Sequence, residues 1–206
     1  MSEAARQQFE TPEGRVRTLP HYLRPGLRLV FIGYNPAIYS AKAGHYYARP
    51  GNVFWRQLSE SGLVPRPVGP EDDAALMDLA GIGFVDLCPR PTVRAEELTP
   101  EEIESGARRL YGQLRAYSPW VAVFSGKGIY GHFGRVVFGL PRSELARRPY
   151  GEQPERIAGE HGETRIWVIP SSSGLASRWH RERLAWLRRL REAVEAIGSE
   201  EAAARG

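Results

Sequence analysis

Short apolar runs recur along this chain, and segments with helical signals lie between them. Leu27-Arg28-Leu29-Val30-Phe31-Ile32 ends at Gly33, and Gly81-Ile82-Gly83-Phe84-Val85 leads to Asp86. Trp120-Val121-Ala122-Val123-Phe124 forms a third run and Arg165-Ile166-Trp167-Val168-Ile169 a fourth. Runs of this length, rich in β-branched and aromatic residues, read as buried strands. Among the intervening segments, Asn52 is placed to cap a short helix over 53–60 that Gly62 stops, and 74–80 is helical. Thr99-Pro100-Glu101-Glu102 has a Thr cap, Pro at the first helical position and Glu three residues after the cap, so a helix runs from there to about Ala116. Glu101 and Glu102 are thereby explained as a first turn facing the helix dipole, not as a catalytic pair. Residues 178–197 form a long helix with Leu184, Leu187, Leu190 and Val194 on one face.

Strands alternating with helices dictate an α/β fold, a three-layer α/β/α sandwich around a short, mostly parallel central sheet. Ligands in such folds lie beyond the C-terminal ends of the strands. The segments divide into an irregular lead over 1–26, with Pro12, Pro20 and Pro25, a single domain over 27–198, and a tail over 199–206. At 206 residues and 42% hydrophobic content the chain suffices for one buried core.

Cys88 is the only cysteine, so an intrachain disulfide and cysteine-held zinc or iron–sulfur are excluded. The net charge is +4, and Lys42 and Lys127 are the only lysines. Arginine suits phosphate because its planar fork binds bidentately, although a coding bias accounts for the arginine count equally well. The basic balance permits a nucleic-acid partner without demonstrating one. No apolar run reaches the roughly 20 residues needed to span a bilayer, and Met1 to Thr11 lacks the apolar stretch of a secretory signal. A cytoplasmic location is expected.

Gly126-Lys127-Gly128-Ile129-Tyr130-Gly131 matches the dinucleotide pattern G-x-G-x-x-G. It lies beyond mid-chain, however, and the acidic residue expected about 20 positions on at a strand end is missing, since Glu144 sits in a Pro/Arg-rich stretch. A tight strand-to-helix turn is the better reading, with a nucleotide-dependent α/β enzyme as the alternative.

Two segments point elsewhere. One is Gly33-Tyr34-Asn35-Pro36-Ala37, continuing through Gly44-His45-Tyr46-Tyr47-Ala48-Arg49-Pro50-Gly51-Asn52-Val53-Phe54-Trp55; the other is Pro170-Ser171-Ser172-Ser173-Gly174-Leu175-Ala176. Together they resemble the mismatch-specific uracil/thymine-DNA glycosylase family, within the uracil-DNA glycosylase superfamily. The likeness extends over roughly residues 27–190. Tyr34 stands where that family usually has Ile, and Ala37 replaces a Gly, which adds a methyl where backbone approaches the base. The Gly-Gln-Asp-Pro-Tyr motif of the classical uracil glycosylases has no counterpart here.

The resemblance implies a monofunctional glycosylase that flips uracil, thymine or another altered pyrimidine from mismatched duplex DNA and hydrolyses its N-glycosidic bond. No metal or cofactor is implied. Asn35 then positions the attacking water; an asparagine orients water but takes no proton at neutral pH. Asp86 stands where family members commonly carry Asn or Lys, and a carboxylate there serves as a general base or balances the sugar cation. Its structural alternative is an ion pair with Arg90 or a cap on a backbone amide. Gly33, Tyr34, Ser40 and Tyr47 form the base-binding set, with Tyr47 at the stacking position. His45 and Tyr46 are neighbours that either line the pocket or pack in the loop. Ser171, Ser172, Ser173 and Gly174 grip phosphates, Leu175 is the wedge that fills the gap left by the flipped base, and Lys127 and Arg178 contact DNA. The expected partners are double-stranded DNA with a mismatched or damaged base and the enzymes that process abasic sites. The protein is expected to act as a monomer. A damaged-DNA binding module without catalysis is the remaining alternative.

Overall fold

The computed structural model describes residues 7–173, 178 and 180–205. The chain begins with a hairpin of β1 (Gln8–Thr11) and β2 (Gly14–Arg17), where an irregular lead was expected. Then follow β3 (Leu29–Gly33), α1 (Ile38–Ala43), α2 (Phe54–Ser61), α3 (Leu76–Ala80), β4 (Ile82–Asp86) and α4 (Pro100–Tyr117). The second half contains β5 (Val121–Phe124), α5 (Lys127–Phe138), α6 (Arg142–Arg147), β6 (Gly151–Gly159), β7 (Gly162–Val168) and α7 (His180–Arg205). The last helix runs to Arg205, through the stretch expected to be a tail. No helix among the described residues is long and apolar enough to cross a membrane.

Five strands make the central sheet in the order β4-β3-β5-β7-β6. The first four are mutually parallel, and β6 joins the edge antiparallel to β7. This is the expected α/β/α sandwich with a mostly parallel sheet. Side chains alternate strictly along the strands: Leu29, Phe31, Val121 and Val123 pack beneath α2 and α7, with Leu58, Leu187, Leu190 and Val194. Val30, Ile32, Ala122 and Phe124 face the other way, against Leu110 and Leu114 of α4 and Phe133 of α5. A register slip of one residue would exchange the two sets, so burial on both faces fixes the register. Each fully buried leucine or phenylalanine contributes about 1.5–3 kcal/mol relative to exposure.

The α4 cap follows the sequence signal, whereas Val53 rather than Asn52 occupies the cap position of α2. Thr99 accepts the Glu102 N–H at 3.3 Å while the Glu102 carboxylate accepts the Thr99 N–H at 2.8 Å. Asn52 Oδ1 accepts the Phe54 N–H at 2.9 Å, and Gly62 ends α2 in the left-handed region at φ 78°. One glycine sets the approach of α4 to the sheet: a Cβ at Gly106 would lie 2.1 Å from the Leu87 carbonyl oxygen. That close approach brings the arginine one turn further along α4 to the end of β4.

Candidate active site

β3 and β4 end side by side, with Gly33 opposite Asp86 in the parallel register. Beyond the sheet the two chains stay paired, through Leu87 N–H to Gly33 O at 2.9 Å, Cys88 N–H to Tyr34 O at 2.9 Å and Thr92 N–H to Pro36 O at 3.2 Å. This carries Asn35 alongside the 90–92 segment. Its Nδ2 donates to the Arg90 carbonyl and to Thr92 Oγ1, each at 2.7 Å. Both amide protons are thereby used, and Oδ1 is left as the open acceptor of the side chain. An amide locked in this way offers a lone pair in one fixed direction.

Asp86 is buried, with 5% exposure. Among the described residues no side chain or amide donates a hydrogen bond to its carboxylate. Burial therefore pushes its pKa up, to about 7, and the Arg109 guanidinium counteracts part of that rise. Arg109 does not pair with the carboxylate; its Nη2 donates to the carbonyls of Asp86 and Leu87, at 2.7 and 2.9 Å. His21 packs behind Arg109, with Nε2 3.1 Å from Nη1, and burial followed by that neighbouring charge pushes the imidazole pKa down to about 4. Arg90, a candidate partner of Asp86, instead forms a two-point ion pair with Glu102 at 2.6 and 2.9 Å. Asp86 is thus a carboxylate at a strand end with no ion-pair or hydrogen-bond partner among the described residues.

Tyr47 reaches the same point from the loop after α1. A Cβ at Gly33 would lie 2.1 Å from Asp86 Oδ1 and 3.6 Å from Tyr47 Oη, so the absence of that atom makes room for both groups. Tyr47 has φ 53°, unusual for a non-glycine residue. Neighbouring contacts hold the turn: Asp73 Oδ2 accepts the Tyr46 N–H at 3.0 Å, Asp73 Oδ1 lies 3.3 Å from His45 Nδ1, and Trp55 Nε1 donates to the Tyr46 carbonyl at 2.9 Å. The Tyr47 ring stacks on Phe54, with centroids 4.0 Å apart and planes 12° from parallel. Its hydroxyl lies near Ser125 Oγ without a hydrogen bond of normal geometry, and burial, then the Asp86 charge, raises its pKa. Arg183 lies over Phe54, 5.3 Å from the ring centroid, and is fully buried; Nη1 donates to Gln57 Oε1 at 2.8 Å, while Nε and Nη2 have no hydrogen-bond partner among the described residues.

Gly33, Tyr47 and Asp86 therefore meet at the ends of β3 and β4, and Asn35 lies two residues beyond Gly33 on the paired segment that follows. The other residues singled out in the sequence fall around them. Tyr34 turns toward α5, its ring 5.7 Å from that of His132 and edge-on to it. Ser40 is buried in α1, the helix whose Ile38 and Ala41 pack with Val16 of β2; among the described residues no hydrogen bond joins Ser40 to Asn35, Asp86 or Tyr47. At the end of β7 the Ser172 carbonyl accepts the Val53 N–H at 3.4 Å, Ser171 Oγ accepts the Ser173 N–H at 3.2 Å, and the Ser173 carbonyl lies 3.3 Å from His180 Nε2. These contacts tie the serine loop to the start of α2. Lys127 Nζ lies 4.8 Å over the Tyr150 ring, and Arg178 is exposed. Gly174 and Leu175 lie outside the described residues. In the Gly126–Gly131 stretch only Gly126 has positive φ, at 139°, and a Cβ at Gly128 or Gly131 would meet nothing within 4 Å. The close helix–strand packing that the dinucleotide fingerprint requires of its last glycine is missing.

Asp73, Arg109 and His21 had no signal in the sequence; each acts across 20 or more residues. A surface concavity of about 310 Å³ lies between α5 and α6 and is lined by Lys127, His132, Arg135 and Arg142. Among the described residues no group of three or more His, Cys, Asp or Glu side chains is placed to hold a metal ion.

A solved structure of a candidate uracil DNA glycosylase from Methanosarcina acetivorans shares the fold, with a TM-score of 0.57 at 19% identity, covering 86% of this chain and 97% of that one. The family model described as the uracil DNA glycosylase superfamily matches residues 20–195, from the bend before β3 to the last turns of α7. The match spans every strand of the central sheet and each residue gathered at its carboxyl edge, and the chain belongs to the uracil DNA glycosylase superfamily.

Proposed function

We propose that this protein is a monofunctional DNA glycosylase that excises uracil, or a related altered pyrimidine, from mismatched duplex DNA by hydrolysis. One observation carries this reading: the unpaired carboxylate of Asp86 ends β4 beside the Tyr47 hydroxyl, and Asn35, its amide fixed with Oδ1 open, follows the adjacent end of β3 by two residues. Breaking an N-glycosidic bond places positive charge on the sugar and negative charge on the departing base. Asn35 accepts a hydrogen bond from the water and aims its oxygen at the sugar carbon. Asp86 takes a proton from that water as the carbon–oxygen bond forms and the carbon–nitrogen bond breaks. The base leaves as an anion and gains a proton from solvent. A carboxylate with a pKa near the operating pH suits a general base.

A bifunctional enzyme would need an amine nucleophile to attack the sugar. Of the two lysines, Lys42 pairs with Glu13 at 2.8 Å and Lys127 rests on Tyr150, which supports simple hydrolysis. A base must leave the stack to reach these groups, at a few kcal/mol and less in a mismatch. Tyr47 then contacts the flipped ring, while the serine loop holds flanking phosphates. The expected setting is the cytoplasm, with the protein acting as a monomer and passing an abasic product to downstream repair enzymes. The test is base release from duplexes carrying G·U, G·T or A·U and from single-stranded uracil DNA. Release from G·U exceeding that from the other substrates is expected. Tight binding without release from any of them would leave a binding module and overturn the reading.

A further inference from the structure

The concavity between α5 and α6 lies outside the cluster at the ends of β3 and β4. Its walls carry Lys127, His132 and Arg135 from α5 and Arg142 from α6, over a floor that includes Leu145. No acidic side chain lines it. Arg135 and Arg142 are exposed and take part in no ion pair or hydrogen bond among the described residues, whereas Arg108 of α4, Arg148 just after α6 and Arg156 of β6 each pair with a glutamate. Three like charges around one hollow repel one another in the empty state, and an anion in the hollow relieves that repulsion.

Two contacts join α5, which walls the hollow, to the candidate active site. Gly126, which starts α5, abuts Ser171 of the serine loop, with its added Cβ 4.0 Å from Ser171 Cβ. Tyr34, the neighbour of Asn35, touches His132 edge-on. From Lys127 to Arg135 the helix advances eight residues, about 12 Å, a distance that covers roughly three phosphates along one strand. We propose that this hollow is a phosphodiester seat, in which Arg135, Arg142 and Lys127 hold the DNA backbone on the α5 side of the flipped nucleotide. The proposal rests on the glycosylase reading for its ligand, and extends the DNA footprint from the serine loop across α5 and α6. Desolvation, then Arg135 and Arg142, lowers the pKa of His132, which makes its imidazole a reporter of any anion that enters.

Two measurements test it. Binding of abasic-site duplex is followed against salt for the wild type, for Arg135→Gln/Arg142→Gln, and for Arg28→Gln/Arg165→Gln, a control pair at the opposite edge of the sheet, where Arg28 precedes β3 and Arg165 of β7 pairs with the first residue of β5. Each lost phosphate contact lowers the salt slope by about 0.9, so between 50 and 200 mM salt the double variant loses roughly tenfold less affinity than the wild type. The control pair keeps the wild-type slope. In parallel, the His132 resonance, assigned with His132→Gln, is titrated alone, with inorganic phosphate and with abasic duplex. A rise in its pKa on adding duplex, with or without a rise on adding phosphate, supports the seat. A rise with phosphate alone marks a free-anion site and overturns the proposal, as does no rise with either, or a slope in the double variant equal to wild type. Uracil release by the wild type, measured on the same preparation, separates this failure from failure of the glycosylase reading.

Discussion

Replacing Gly33 with alanine puts a methyl where Asp86 and Tyr47 meet. The new Cβ would lie 2.1 Å from Asp86 Oδ1 and 3.4 Å from its Cγ. To regain 3.0 Å the carboxylate must retreat by about 0.9 Å. Asp86 is buried and its strand is held by ladder bonds to β3, so the retreat is a side-chain rotation or a local parting of the strand ends. Overpacking of this kind costs about 1–3 kcal/mol of stability. A misplacement of about 1 Å in a reacting group costs about 10²-fold in rate. Gly33→Ala is therefore expected to fold, to unfold at a lower temperature, and to release uracil from a G·U duplex about a hundredfold more slowly under single-turnover conditions. Backbone φ at Gly33 lies outside the left-handed region, so the loss comes from the side-chain clash alone. The pair of substitutions isolates the cause, because non-additivity reports a shared mechanism. In an Asp86→Asn background, Gly33→Ala should cost little further rate. Independent, multiplying losses would refute the placement of Asp86 in the reaction.

Three further outcomes follow from the same geometry. Burial raises the folded pKa of Asp86 above its unfolded value, so its protonated form stabilises the fold below about pH 4 and that stabilisation is lost as pH rises through about 7. Asp86→Asn should then gain stability over wild type between those limits, by on the order of a few kcal/mol, in denaturant melts at successive pH values; parallel curves would contradict it. Arg109→Gln removes the charge that holds the Asp86 pKa down, so the midpoint of the pH–rate profile should move to higher pH and the rate at pH 7 should partly recover at pH 9. A loss of rate that no pH restores would mean a purely structural role. Thr92→Val deletes one of the two acceptors that fix the Asn35 amide, and should cost about 1 kcal/mol of stability and lower kcat with little change in KM; a change in KM alone would point to binding instead.

The local signals in the chain were strong wherever one residue answers its near neighbours. The four parallel strands were legible because burial on both faces leaves nearly continuous apolar runs, and the 100–117 helix because Thr99, Pro100 and Glu102 spell its start. The edge strand β6 was not legible, since Pro154 and a register shift between Glu152 and Arg156 break its alternation. The hairpin over 8–17 is mostly polar and exposed, and α1 is only six residues long with no side-chain cap, so neither has a periodic signature. At the C-terminus, Gly198 did not end the last helix, because the following Glu and Ala residues are good helix formers.

The site divides along the same line. Asn35, Tyr47 and the serine loop were marked by motifs within single segments, and Asp86 by its place at a strand end. What Asp86 became was decided across the fold. Arg90, four residues away, turns to Glu102, while Arg109 comes in over Gly106 to hold the adjacent carbonyls and leave the carboxylate unpaired. A sequence fixes periodicity, caps and turns because those depend on neighbours along the chain. Desolvation and charge pairing depend on what packs across space, and the sheet and its flanking helices alone set that.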